Sequence, residues 1–108
     1  PFCGTGGILI EAALSEIHAS GSDLDVRMVD GSRQNLEQIE VDPSLYELFT
    51  HDATQLEELW SEMENSAFVF DPPYGRNSWS DGEGMDLLQR TVQSCQAIST
   101  GCFVILLF

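Results

Sequence analysis

The sequence predicts an α/β domain built on a parallel sheet, and three observations carry that expectation. Candidate strands alternate with segments of helical spacing along the chain. The order loop-α-β-α-β-α-β-α-β calls for parallel strands joined by right-handed crossovers. Residues 68–75, FVFDPPYG, are an apolar run that fits a strand buried on both faces, ended by prolines that cannot donate to a ladder. Acids follow three successive candidate strands: Asp23, Asp52 and Asp71 fall at the carboxyl edge, where open α/β sheets place their ligands.

Taken in order, residues 1–7, PFCGTGG, form a small-residue loop ahead of 8–17, ILIEAALSEI. There Ile8, Leu9, Ala12, Ala13 and Ile17 recur at helical spacing. A glycine loop opening a helix lets backbone N–H groups approach an anion such as a carboxylate. A tight turn alone would use the same residues. The loop is neither G-x-G-x-x-G nor G-x-x-x-x-G-K-S/T, which disfavours a dinucleotide or a nucleoside triphosphate. Residues 19–25 predict a short strand whose end carries Asp23, an acid suited to the two hydroxyls of a ribose. Asp23 or Asp25 also caps the following helix. That helix is expected over 27–39, with Met28, Leu36 and Ile39 toward the core, and Val41, Asp42 and Pro43 break it.

Residues 45–49, LYELF, predict the next strand, with His51 and Asp52 after it. A lone histidine at a strand end reads as structural or solvated rather than catalytic. Residues 55–63 predict a short acidic helix with Trp60 in the core, ahead of the strand at 68–70. Residues 77–84, NSWSDGEG, have loop composition: either a lid with Trp79 available for stacking, or a plain loop. Residues 85–98 are helical in pattern and 101–108 predict a last buried strand.

Eighteen acids face four arginines and no lysine, a net charge of −14. The acids are interspersed with periodic apolar residues, which favours a folded surface over an acidic tail. Adaptation to high salt accounts for the excess, since self-repulsion is screened over about 3 Å at 1 M; a halophilic source is expected. Such a surface is a poor polyanion binder at low salt. Cys3, Cys95 and Cys102 have neither paired spacing nor a neighbouring histidine cluster, so no disulfide framework or metal site is indicated and a reduced, cytoplasmic setting is expected. No signal peptide or apolar run of transmembrane length occurs. Both ends read as cut, the first inside a motif and the last inside a strand.

Four segments, PFCGTGGILIEA (1–12), GSDLDVRMVDGSRQNL (21–36), HDAT (51–54) and DPPYG (71–75), together resemble the class I S-adenosylmethionine-dependent methyltransferases. More narrowly, the chain is similar to the RNA guanine-N2 methyltransferases that pair this fold with a THUMP domain, especially the archaeal tRNA enzymes acting on guanosine 10. The resemblance covers nearly the whole chain. It implies a Rossmann-like fold with helices on both faces of a parallel sheet, incomplete at both ends because the first strand and the closing strands are missing. Residues 1–108 would then be a partial catalytic domain. It implies that Cys3, Gly4, Thr5 and Gly6 line the methionine part of S-adenosylmethionine. Asp23 would take the ribose hydroxyls and Asp52 the adenine amine, with Leu24 and Ala53 beside the adenine ring. Asp71, Pro72, Pro73 and Tyr74 would hold the target base. RNA, expected to be tRNA, would be recognised largely through parts outside this chain, with neither a metal nor a membrane involved.

The chemistry of that assignment suits the residues. An exocyclic purine amine is a poor nucleophile because its lone pair is shared with the ring. The Asp71 carboxylate and the Pro72 carbonyl can accept its two N–H bonds and leave the lone pair aimed at a methyl sulfonium. Tyr74 can stack on a base turned out of its helix. A DNA adenine-N6 methyltransferase uses the same Asp-Pro-Pro-Tyr run, but PFCGTGG followed by ILIEA argues against it. A glutamine-N5 protein methyltransferase usually has Asn where this chain has Asp71. A non-catalytic scaffold is disfavoured by four intact motif segments.

Overall fold

The computed structural model describes residues 1–60, 66–72, 83–99 and the backbone of 103–106. These fall into two units, Pro1–Asp52 and Ala53–Phe108.

In the first unit, helix α1 (Gly7–Leu14) leads to strand β1 (Ala19–Asp23), helix α2 (Val26–Gln38), a 3-10 turn (Pro43–Leu45) and strand β2 (Tyr46–Thr50). The two strands pair in parallel with Ala19 opposite Tyr46 and Asp23 opposite Thr50, so their carboxyl ends coincide. Leu9 and Ala13 of α1 and Val29 and Leu36 of α2 are buried. Gly21 lets α1 lie close on β1: a Cβ there would come within 2.6 Å of Leu9 Cδ1.

Helix α1 stops three residues before the spacing predicts. Glu16 turns to the left-handed region (φ 57°), donating its N–H to Ala13 O at 3.0 Å while Ile17 donates to Ala12 O at 2.9 Å. This pair of bonds satisfies the last carbonyls and ends the helix. Ile17 therefore lies outside it, 59% exposed. Helix α2 ends the same way: Glu40 has φ 58°, and Glu40 and Val41 donate to Glu37 O and Leu36 O, both at 3.0 Å. The buried stripe of α2 is Val29, Ser32 and Leu36, spaced i, i+3, i+7 as one helix face requires. Met28 is half-buried beside it. Ile39, expected in the core, sits at the C-cap and is 48% exposed. Asp42 caps the following turn by accepting the Ser44 N–H at 2.9 Å.

The second unit holds a 3-10 segment (Ala53–Glu58), strand β3 (Ala67–Phe70), helix α3 (Glu83–Ile98) and strand β4 (Phe103–Leu106). The strands again pair in parallel, Ala67 opposite Phe103 and Phe70 opposite Leu106. The helix expected over 55–63 is, in its described part, 3-10 turns interrupted at Gln55 (φ −135°, ψ 37°); residues 61–65 lie outside the described residues. The break goes with a hydrogen bond to another element, on an N–H that a first helical turn leaves without a partner of its own. The Leu56 N–H donates to Ser94 Oγ of α3 at 2.7 Å, and that hydroxyl donates to Glu57 Oε2 at 3.1 Å. Leu56, Phe68, Phe70, Cys95 and Ile98 are buried. Half-buried Trp60 follows the 3-10 segment. Helix α3 begins at Glu83, two residues earlier than the pattern predicts, with Glu83 and Asp86 in its first turn, where the helix dipole favours acids. The rest of the predicted loop, 77–82 with Trp79, lies outside the described residues.

Alternating helices and parallel strands are what the sequence predicts, and they fit a partial Rossmann-like fold. The strands are grouped as two pairs, β1 with β2 and β3 with β4. Among the described residues, no helix is long and apolar enough to cross a membrane, and no group of three or more His, Cys, Asp or Glu could hold a metal ion.

Candidate active site

The opening loop turns through the left-handed region at Phe2 (φ 56°), Gly4 (φ 53°) and Gly6 (φ 94°). Cys3 donates its N–H to Ser22 O of β1 at 2.8 Å, Gly6 donates to Cys3 O at 2.9 Å, and Ile10 donates to Gly6 O at 2.9 Å. The loop is thus tied to the strand on one side and runs into α1 on the other. A Cβ at Gly6 would lie 3.1 Å from Ser32 Oγ, whereas at Gly4 and Gly7 it would meet nothing within 4 Å. One side of the loop is packed on α2; the other is open.

Asp23, the last residue of β1, holds this arrangement. Its Oδ2 accepts the Gly4 N–H at 3.0 Å and its Oδ1 accepts the Asp25 N–H at 3.0 Å. Its carbonyl accepts the His51 N–H at 2.9 Å. One residue therefore joins the glycine loop, the entry to α2 and the segment after β2. An ionised carboxylate offers about four lone-pair sites, so two acceptor sites remain on Asp23, enough for a vicinal diol. Leu24 beside it is 74% exposed.

The helix cap is Asp25, not Asp23. Asp25 Oδ1 accepts the Arg27 N–H at 2.9 Å and the Arg27 Nε–H at 3.1 Å, and Oδ2 accepts from Nη2 at 2.8 Å. These bonds to Arg27 hold the Asp25 carboxyl below the usual carboxylate range.

After β2, His51 and Asp52 are half-buried and Ala53 is buried. The Cys3 thiol turns toward α2, 3.7 Å from Ser32 Oγ and 3.6 Å from Gly4 O. Burial pushes its pKa up, so it stands as a neutral thiol rather than a nucleophile. In the second unit, Asp71 follows β3 and is exposed, and Pro72 is buried. Pro73 and Tyr74 lie outside the described residues.

The first unit thus brings together Cys3, Gly4, Thr5, Gly6, Asp23 and Leu24, with Asp52 two residues beyond the end of the paired strand. Two further residues escaped the sequence reading. Ser32 Oγ donates to Gly4 O at 2.7 Å, and Asn35 Nδ2 donates to Thr5 O at 2.8 Å. The one available signal was their type: Ser and Asn inside a helix are poor helix formers and ask for a reason.

A family model described as RMKL-like, methyltransferase domain, matches residues 1–108. The chain is 42% identical over 90 residues to the tRNA (guanine(10)-N2)-dimethyltransferase of Methanothermobacter thermautotrophicus, which covers 83% of this chain and 25% of that protein. It is 38% identical over 92 residues to the protein of the same name from Methanocaldococcus jannaschii, covering 82% of this chain and 26% of that one. The corresponding protein of Pyrococcus abyssi is 35% identical over 101 residues, covering 94% of this chain and 30% of its own length. The chain spans between 25% and 30% of the length of these relatives.

Proposed function

Because this chain belongs to the RMKL-like methyltransferase domain family, UPF0020, we propose that it is a partial catalytic domain of an enzyme methylating the N2 amine of a guanine in tRNA, with S-adenosylmethionine as the donor. The observation that carries this reading is the clamp of Asp23 on the Gly4 N–H at the carboxyl end of β1, in a chain similar to proteins named for that activity.

The loop fits an amino-acid moiety. Its outer side is open at Gly4 and Gly7, and the Thr5 N–H has no protein acceptor among the described residues. In this reading Cys3, Gly4, Thr5 and Gly6 lie along the methionine part, with the Thr5 N–H donating to its carboxylate. The two spare acceptor sites of Asp23 take the ribose hydroxyls. Asp52 accepts from the adenine amine, with Leu24 and Ala53 against the ring. When bound, S-adenosylmethionine supplies an electrophilic methyl group on a sulfonium.

The Asp71 carboxylate and the Pro72 carbonyl accept the two N–H bonds of the guanine amine and so orient its lone pair; Pro73 fixes the backbone and Tyr74 stacks on the base. Alignment of this kind supplies much of the rate, and a misplacement of 1 Å costs on the order of 100-fold. The proton lost from the amine leaves by way of Asp71 or water. A net charge of −14 offers no attraction for a polyanion. The grip on RNA therefore falls to parts of the protein outside this chain, and the acidic surface to a salt-rich cytoplasm.

In the full-length protein, Asp71→Ala should lower methyl transfer to tRNA by about 100-fold while calorimetric binding of S-adenosylmethionine in about 2 M KCl stays intact. Asp23→Ala should abolish that binding. Transfer unchanged by Asp71→Ala would sink the assignment.

A further inference from the structure

We infer that Ser32 and Asn35 of α2 are positioning residues for the glycine loop: Ser32 holds the Gly4 carbonyl toward the helix and thereby turns the Thr5 amide N–H outward to a ligand, and Asn35 anchors the next peptide of the loop through the Thr5 carbonyl. The two residues sit at i and i+3, on one face of the helix. Ser32 is fully buried. A serine within a helix usually bonds the carbonyl four residues back or faces water; this one instead donates to Gly4 O at 2.7 Å. Asn35, one turn on, donates to Thr5 O at 2.8 Å.

A peptide unit is planar and trans, so its carbonyl and the next N–H point in opposite directions. Holding Gly4 O toward α2 therefore points the Thr5 N–H away from it, and that N–H has no protein acceptor among the described residues. Gly6 completes the fit, because any Cβ there would stand 3.1 Å from Ser32 Oγ and lift the loop from the helix. Asp23 grips the loop by an N–H and α2 grips it by two carbonyls, so the loop is held from both sides of its backbone. Neither Ser32 nor Asn35 needs to touch the ligand.

The ligand half of this inference rests on the loop's being the S-adenosylmethionine site, so the test reads the loop with and without it. In the full-length protein, Ser32→Ala and Asn35→Ala should each speed amide exchange at Thr5–Gly7, and Asn35→Ala, which leaves the contact of Ser32 with the Cys3 thiol in place, should also speed alkylation of Cys3. Each should raise the KM for S-adenosylmethionine about tenfold, the worth of one neutral hydrogen bond, with kcat and the KM for tRNA held. Asn35→Asp, which sets a carboxylate against the Thr5 carbonyl, should raise that KM further than Asn35→Ala. A role in folding alone would instead lower kcat through a smaller active fraction at unchanged KM, and would overturn the inference. Parental exchange rates and KM in all three variants would also overturn it, leaving the cofactor assignment standing. Faster loop exchange in the variants of a protein that binds no S-adenosylmethionine would uphold the positioning role and remove the cofactor assignment.

Discussion

Glu16 and Glu40 occupy the helix-exit position that glycine usually fills. Both have φ close to +57°, a conformation that strains an L side chain by about 1–2 kcal/mol. Glycine would relieve that strain but lose more entropy on folding. Glu16→Gly and Glu40→Gly should each stabilise the protein by about 0.5–1 kcal/mol, read as a higher urea midpoint at unchanged m. Glu16 also explains why the end of α1 was hidden in the sequence, whereas the end of α2 was marked by Pro43. Ile17 fits the helical spacing, and no glycine or proline near it announces a stop. Asp23 was legible from its place, between two stretches of helical spacing and downstream of a glycine loop, although the ASGSD run that carries it has little β-propensity. Its division of labour with Asp25 was not legible, because either acid can cap and only the Arg27 N–H at 2.9 Å from Asp25 Oδ1 decides between them. The roles of Ser32 and Asn35 were not legible because their partners are backbone carbonyls 28 and 30 positions away.

The contact between α1 and β1 depends on the missing side chain of Gly21. Gly21→Ala would drive a methyl to 2.6 Å from Leu9 Cδ1, and overpacking of this kind costs about 1–3 kcal/mol. Because the clash is with Leu9 itself, Gly21→Ala combined with Leu9→Ala should cost less than the sum of the two single changes in a double-mutant cycle on thermal or urea unfolding. Elements bounded by strong punctuation were legible: β3 is ended by its prolines and α2 opens on an acid. The segment after Asp52 was not. Its acidic composition favours a helix, but the backbone breaks at Gln55 and the next N–H, of Leu56, donates to Ser94 of α3, a partner 38 residues away that no local pattern reveals. The Pro73–Tyr74 end of the DPPYG run lies outside the described residues.

Across the whole molecule the decisive quantity is the charge of −14. With 18 acids against four arginines, like charges repel in dilute buffer and are screened beyond about 3 Å at 1 M. The described ion pairs are exposed and offer little relief: Arg27 with Asp25, Arg33 with Asp30 and Arg90 with Asp86. Thermal stability should therefore climb steadily from millimolar to molar KCl, and a melting temperature indifferent to salt would contradict this account.

The two glutamates at the helix exits decide where dilution is felt first in the residue 1–52 unit. Each places a carboxylate at the negative end of a helix on an already strained backbone. Those exits lie just ahead of β1 and β2, at the opposite end of the strands from Asp23 and Thr50. Desalting should open this unit from its back edge: hydrogen exchange would quicken first around Ile17 and Val41, while the amides gripped by Asp23 are the last to let go.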